Sequence, residues 1–155
     1  MMEPIQVIGV QRDQVEGLWS KVAPLLGMAV VKTEGRSSLE VILKNLLEKD
    51  MQLFVGVREG VLIGAMVTEI LTYQNGEKGL HVAFLGGSGM KEWIRFLAGV
   101  ERWALEMGCS EICFEGRHGW QRITRDPVSL RPRYYERGRM YARRLHPDSR
   151  ESVHG

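Results

Sequence analysis

Residues 80–115 constrain the fold of this chain more than any other stretch, because strand and helix signals alternate within them. A hydrophobic run at 80–85 meets a glycine-rich sequence at 86–89, and an amphipathic segment at 90–107 leads to a second apolar run at 112–114. This order predicts a strand, a glycine turn, a helix and another strand. Two strands joined through a helix lie parallel in one sheet, by a right-handed crossover.

The glycine turn between the first strand and the helix is suited to binding an anion. Backbone amides at a helix N-terminus lack partners within the helix and lie at the positive end of its dipole. Glycine also lets a phosphate approach the backbone closely. However, Gly86, Gly87, Ser88 and Gly89 are equally typical of a plain turn from strand to helix. The residues alone leave both interpretations open.

Elsewhere the strand signals are antiparallel. Strands are predicted at 5–10, 52–58 and 61–73 from their alternating or continuous apolar residues. The Glu59-Gly60 turn joins two of them as a hairpin, and Asn75-Gly76 marks a second hairpin that leads into the strand at residue 80.

Two further helices are predicted before the first hairpin. One spans 13–26 with Asp13 as its N-cap, and Pro24 is expected to kink or shorten it. The other begins from an N-cap at Ser37 or Ser38 and carries leucine and isoleucine at helical spacing.

The sequence changes character after residue 116, where arginine becomes frequent. Pro127 and Pro132 interrupt any periodicity, a last strand is predicted at 140–145, and the tail at 146–155 is expected to be disordered. The whole pattern predicts an α+β (mixed α/β) fold with a central, mostly antiparallel sheet, one parallel crossover and flanking helices. We expect residues 1–145 to form a single domain.

Composition excludes several classes of protein. The net charge is only +2 over 155 residues, so the chain as a whole does not indicate a nucleic-acid partner. Charged residues interrupt every apolar run, so no membrane span is expected. The first residues lack a basic segment followed by an apolar core, which predicts a cytoplasmic protein. The only cysteines, Cys109 and Cys113, have no ligand cluster nearby, so we expect buried thiols and no metal.

The order of elements resembles the GNAT superfamily of acyl-CoA-dependent N-acyltransferases, over residues 5–145. More narrowly, the chain is similar to GNAT-like proteins encoded by bacteriophages. The segments that carry this resemblance are Thr68-Glu69-Ile70 with Tyr73, Gly86-Gly87, Glu101-Arg102-Trp103-Ala104 with Gly108-Cys109, and Gly116-Arg117-His118-Gly119-Trp120-Gln121-Arg122.

The resemblance implies that acetyl-CoA is a co-substrate held between the fourth and fifth strands. The residues that would bind it are Phe84, Leu85, Gly86, Gly87, Ser88, Gly89 and Met90. The usual loop of the family is longer and begins with Gln or Arg, as Gln/Arg-x-x-Gly-x-Gly/Ala. The loop here lacks that first residue and offers fewer amides to a pyrophosphate.

The resemblance also suggests which residues do the chemistry. Acyl transfer to an amine needs a base for the ammonium proton and an acid for the leaving thiolate. Glu115 or Glu69 would be the base, with His81 as a third candidate. Tyr134 would be the acid, since Gly138 follows it at the family's spacing, although Arg139 replaces the usual Phe. For each of these residues a purely structural role is the alternative.

Three functions remain open at this stage. The first is acetyl transfer from acetyl-CoA to an unknown amine. The second is a catalytically degenerate GNAT-fold protein of a bacteriophage, acting in the virion, in assembly or on the host, in the host cytoplasm or associated with virions. The third, ranked last, is nucleic-acid binding through the arginine-rich segment. An exposed sheet edge and an apolar first helix also indicate that a second copy of the chain could be a partner, in a homodimer.

Overall fold

A computed structural model describes residues 5–31, 35, 37–87, 93–115, 135–137 and 140–145. Within these residues three helices and seven strands follow one another along the chain. In chain order they are β1 (Gln6–Val10), α1 (Arg12–Val31), α2 (Leu39–Glu48), β2 (Met51–Arg58), β3 (Val61–Thr72), β4 (Lys78–Gly87), α3 (Trp93–Glu106), β5 (Cys109–Glu115), β6 (Tyr135–Arg137) and β7 (Met140–Arg144).

The strands are hydrogen-bonded in the order β1-β2-β3-β4-β5-β7-β6. β1 pairs antiparallel with β2, β2 with β3, β5 with β7 and β6 with β7. β4 and β5, which are joined through α3, pair in parallel from Lys78 opposite Cys109 to Val82 opposite Phe114. The predicted mixed α+β fold, with one parallel crossover in a mostly antiparallel sheet, is therefore confirmed.

The chain divides into two compact units. One contains residues 1–69 and 83–89, and the other contains residues 70–82 and 90–155. β3 and β4 contribute residues to both units. The prediction of a single domain over residues 1–145 stays a prediction.

The first unit has a core between its two helices and one face of β2 and β3. Its buried members alternate along the strands and recur at helical spacing along α1 and α2, as expected for elements with one apolar face. They are Val15, Val22, Leu26, Ile42, Leu46, Leu53, Val55, Ala65 and Val67.

Helix α1 is longer than its sequence predicts. It begins at Arg12, so Asp13 lies in its first turn rather than at the N-cap, and it continues past Pro24 to Val31. Proline removes one backbone hydrogen bond from a helix interior. Here Val22 and Leu26, which flank the proline, are fully buried. We infer that their burial in the core offsets the missing bond, and this is why the predicted stop fails.

Local turn and cap chemistry agrees with the sequence in the first unit. Ser38 is the N-cap of α2, and its side-chain oxygen accepts a hydrogen bond of 3.2 Å from the backbone N–H of Val41. Glu59 and Gly60 both have positive φ, 51° and 78°, as a two-residue type I′ turn requires. The first predicted hairpin is therefore confirmed.

The second unit contains α3, β5, β6, β7 and the first half of β4. α3 contacts β5, and Phe96, Leu97, Val100 and Ala104 are buried along the helix. Gly108 ends the helix with φ of 86°, as its position predicts. Glu101 is an exception to the amphipathic pattern, because it lies on α3 and is only 1% exposed.

Strand β6 is an element that the sequence analysis does not predict. Residues 135–137 form a short strand on β7, with Tyr135 opposite Ala142 and Arg137 opposite Met140. The residues that directly follow Tyr134 are therefore in a strand. Tyr134 itself, most of the arginine-rich segment and the tail at 146–155 lie outside the described residues.

Candidate functional site

The last residues of β4 are the described part of the predicted cofactor loop. Phe84, Leu85 and Gly86 are partly buried, and Gly87 is exposed. Phe84 packs against the core of the first unit. The side chain of Phe84 therefore has a structural role in this core, whether or not its backbone binds a cofactor. The remaining predicted loop residues, Ser88, Gly89 and Met90, lie outside the described residues.

Gly86 lies against the backbone of α1. A Cβ atom added to Gly86 would overlap the carbonyl oxygen of Leu25 and would stand 3.4 Å from the Cα of Leu26. Only glycine lets two backbones approach so closely. The packing of α1 on β4 is thus a sufficient reason for glycine at this position.

Gly87 is restricted in two ways. Its φ of 139° is a backbone conformation that residues with a side chain rarely adopt. A Cβ atom added here would also overlap the carbonyl oxygen of Ile63 and stand 2.6 Å from the Cα of Gly64, on β3. Both glycines of the described loop are therefore required by contacts within the first unit.

Strand β4 is longer than the strand it pairs with in parallel. The register places Val82 opposite Phe114, and β5 ends one residue later, at Glu115. In that register Phe84 and the residues after it extend beyond the end of β5. This end of β4 is the segment to which the sequence assigns the cofactor.

Of Glu115, Glu69 and Tyr134, the structure describes the side chain of Glu69 alone. Glu69 lies on β3 in the first unit, is partly buried and has Met51 as its neighbour across the β2–β3 pair. Glu115 ends β5 in the second unit, opposite Met140, and its side chain lies outside the described part, as does all of Tyr134. The catalytic assignments therefore stay predictions.

The residue next to Glu69 has a defined polar contact. The hydroxyl of Thr68 is fully buried and donates a hydrogen bond of 2.9 Å to Oε1 of Gln52 on β2. The amide nitrogen of Gln52 in turn donates to the backbone oxygen of Asp50 at 3.2 Å. These two hydrogen bonds stabilise the end of the β2–β3 hairpin that carries Glu69.

His81 is partly buried on β4, and its neighbour across the parallel pair is Cys113. Cys113 and Cys109 are both buried and neither forms a disulfide, as the sequence predicts. Burial raises the pKa of the Cys109 thiol, and the nearby charge of Lys78 lowers it by a smaller amount. Cys109 is thus held as a neutral thiol.

A polar pair that the sequence analysis does not predict lies in the second unit. The hydroxyl of Tyr73 donates a hydrogen bond of 3.2 Å to Oε1 of Glu111, which is only 4% exposed. The Tyr73 ring occupies the space in which a Cβ atom of Gly79 would lie. The Asn75-Gly76 turn was a usable signal for this contact. This turn closes the hairpin through a hydrogen bond from the backbone N–H of Tyr73 to the backbone oxygen of Glu77. It thereby brings Gly79 under the Tyr73 ring.

The described residues contain neither a metal-binding cluster nor a membrane-spanning helix. No group of three or more His, Cys, Asp or Glu residues in this part of the chain could hold a metal ion. None of the described helices has both the length and the apolar character that crossing a bilayer requires.

The fold of this chain is similar to that of aminoglycoside 6'-acetyltransferase type Ii, with a TM-score of 0.64 and 14% identity, over 92% of this chain and 98% of that one. The chain has the GNAT fold. No protein-family profile matches the sequence, and no curated protein matches it.

Two further structures support the same GNAT assignment. GCN5 from Tetrahymena has a TM-score of 0.61 and 13% identity, over 94% of this chain and 98% of its own. Agmatine N-acetyltransferase has a TM-score of 0.59 and 13% identity, over 92% of this chain and 100% of its own. At these identities the similarity establishes the GNAT fold alone. The narrower resemblance to bacteriophage proteins stays a prediction.

Proposed function

We propose that this protein is an acyl-CoA-dependent N-acyltransferase that transfers an acetyl group from acetyl-CoA to an amine. The observation that carries the proposal is the parallel β4–β5 pair joined by α3, in which β4 extends past the end of β5. In a GNAT fold this is where the co-substrate is expected. Two solved structures with the same fold are named as acetyltransferases of amines, one for aminoglycosides and one for agmatine.

The proposed site for acetyl-CoA begins at the end of β4. The pantetheine arm would pair with the backbone from Phe84 through Gly86, and the pyrophosphate would lie on the residues that follow, Gly87, Ser88, Gly89 and Met90, before α3. Extended backbone groups can pair with a peptide-like arm as they would with another strand. The close packing of Gly86 and Gly87 limits which amides of this loop can face a phosphate.

In the proposed reaction the amine nitrogen attacks the thioester carbonyl carbon. A C–N bond forms, the C–S bond breaks, and the CoA thiolate leaves. Glu115 or Glu69 would accept the proton lost by the ammonium group, and Tyr134 would give a proton to the thiolate. The reaction needs no further reactant.

Isothermal titration with acetyl-CoA is the first test. The proposal expects saturable binding of acetyl-CoA in the micromolar range and CoA release when an amine is added. The first amines to try are agmatine and an aminoglycoside, because proteins of the same fold are named for them. Absence of binding at millimolar acetyl-CoA would overturn the proposal.

The catalytic roles are tested separately in charge-neutral variants. Removing a general base typically lowers kcat by about 10²–10⁴-fold. Glu115→Gln or Glu69→Gln should show that loss while acetyl-CoA affinity is retained. Glu48→Gln, at an exposed position on α2, is the matched control. Unchanged kcat in both test variants would remove both residues from the mechanism.

The alternative is a GNAT-fold protein without catalytic activity that acts in assembly or on a host. One observation favours it: packing within the first unit already accounts for Gly86 and Gly87. A chain that binds no acetyl-CoA yet forms a stable complex with virion or host proteins would support this alternative.

A further inference from the structure

The two glycines at the end of β4 connect three separate parts of the first unit. Gly86 contacts the carbonyl of Leu25 inside α1, and Gly87 contacts Ile63 and Gly64 on β3. We call this set of contacts the diglycine joint. All of its members belong to the same compact unit.

The contact with α1 involves the interior of the helix. Leu25 is half-buried, and Leu26 beside it is fully buried in the core of the unit. The helix therefore cannot retreat from β4 without opening that core, because protein interiors are close-packed. The core contacts that hold α1 in place therefore also hold Gly86 in place.

The contact with β3 fixes the next residue in the same way. A Cβ atom at Gly87 would stand 2.6 Å from the Cα of Gly64, which is itself buried. The φ of 139° at Gly87 then sets the direction in which the chain leaves β4. Gly86 and Gly87 are thus positioned by residues of α1 and β3 that precede them by more than twenty positions.

We propose that Gly86 is a positioning residue: it acts on acyl-CoA binding through the diglycine joint rather than by contact with the phosphates. This inference rests on the proposed function. If it is correct, a side chain at position 86 displaces the end of β4 and disturbs the whole binding strand, including the part that faces the pantetheine arm. If Gly86 instead serves the phosphates directly, only a ligand with phosphates responds.

Two ligands separate these cases. Acetyl-CoA carries the pyrophosphate, whereas S-acetylpantetheine has the same thioester arm without any phosphate. We expect Gly86→Ala to weaken both ligands by a similar factor, roughly tenfold, since small misplacements in a binding site cost this much or more. The melting temperature without ligand should fall by roughly 3–10 °C, because the added methyl group meets backbone atoms.

The matched control is Gly27→Ala, which also adds a methyl group to a glycine of the first unit. Among the described residues, no heavy atom beyond its chain neighbours and its own helix backbone lies within 4 Å of a Cβ at Gly27, so affinity and melting temperature should be unchanged or slightly improved. If Gly86→Ala does not fold, Leu26→Val tests the joint from the helix side. It adds no atom next to β4, and it should still weaken both ligands equally.

Two results would overturn the proposal: an unchanged melting temperature in Gly86→Ala, or weaker binding of acetyl-CoA with unchanged binding of S-acetylpantetheine. A native chain that binds neither ligand overturns the proposed function, and with it the role of the joint in binding. The melting temperatures of Gly86→Ala and Gly27→Ala still decide in that case whether the joint stabilises the fold.

Discussion

Tyr73→Phe removes one hydroxyl from the second unit and leaves the ring over Gly79 in place. The lost hydrogen bond to the buried carboxyl of Glu111 spans 3.2 Å, longer than the 2.7–2.8 Å usual for oxygen–oxygen pairs. Hydrogen bonds to charged groups contribute about 1.5–3 kcal/mol. The long distance and the half-buried position of Tyr73 reduce this, so we expect a loss of about 1–1.5 kcal/mol.

Thermal and urea unfolding, followed by circular dichroism, measure this loss. For a chain of this length the melting temperature should fall by roughly 2–6 °C. Tyr73→Ala should cost clearly more, because it also uncovers Gly79. The double variant Tyr73→Phe with Glu111→Ala completes a cycle whose coupling energy should be about 1 kcal/mol, because alanine removes the acceptor oxygen.

The reasoning fails if Tyr73→Phe unfolds within about 0.3 kcal/mol of the native chain, which is the additivity limit of such measurements. It also fails if the coupling energy between Tyr73 and Glu111 is zero. Either result would mean that the hydroxyl contributes nothing to holding the carboxyl.

Three further predictions concern stability. Ser38→Ala should cost about 1 kcal/mol of unfolding free energy, because Val41 loses its cap acceptor, whereas Ser38→Asp should be nearly neutral. Leu46→Ala should cost about 2–5 kcal/mol in urea unfolding, because this side chain is 2% exposed. Burial raises the pKa of Cys109 above its usual 9.0 despite Lys78. The contribution of the neutral Cys109 thiol to the free energy of unfolding should therefore be intact below pH 9 and be lost as the pH rises through the higher pKa of the folded state. Cys109→Ala should remove this pH dependence of the free energy of unfolding.

Sequence patterns predicted the hairpins and the crossover because their signals are local. Glu59-Gly60 and Asn75-Gly76 are turn sequences whose backbone needs are met within a few residues. Helix α3 shows its apolar spacing and its Gly108 cap directly. The extent of α1 was not predictable in this way, because burial of Val22 and Leu26 outweighs the local effect of Pro24.

The candidate site was less predictable because its contacts are far apart in the sequence. Gly86 meets Leu25, sixty-one positions earlier, and nothing near either residue indicates that contact. The burial of Glu111 was unpredictable for the same reason, since its phenol partner, Tyr73, lies thirty-eight positions earlier, just after β3. The sequence indicated a glycine turn at position 86, but it could not distinguish close packing from phosphate binding.

The contact between Gly86 and the Leu25 carbonyl has a consequence for how α1 can change during evolution. Successive residues of an α-helix are rotated by about 100° around its axis. A single residue inserted or deleted between Val15 and Leu25 would either turn a side chain, instead of a carbonyl, toward β4, or misplace Val15 or Val22 in the core. Helix α1 should therefore accept many exposed substitutions, but its length before Leu25 should be constant among functional homologues.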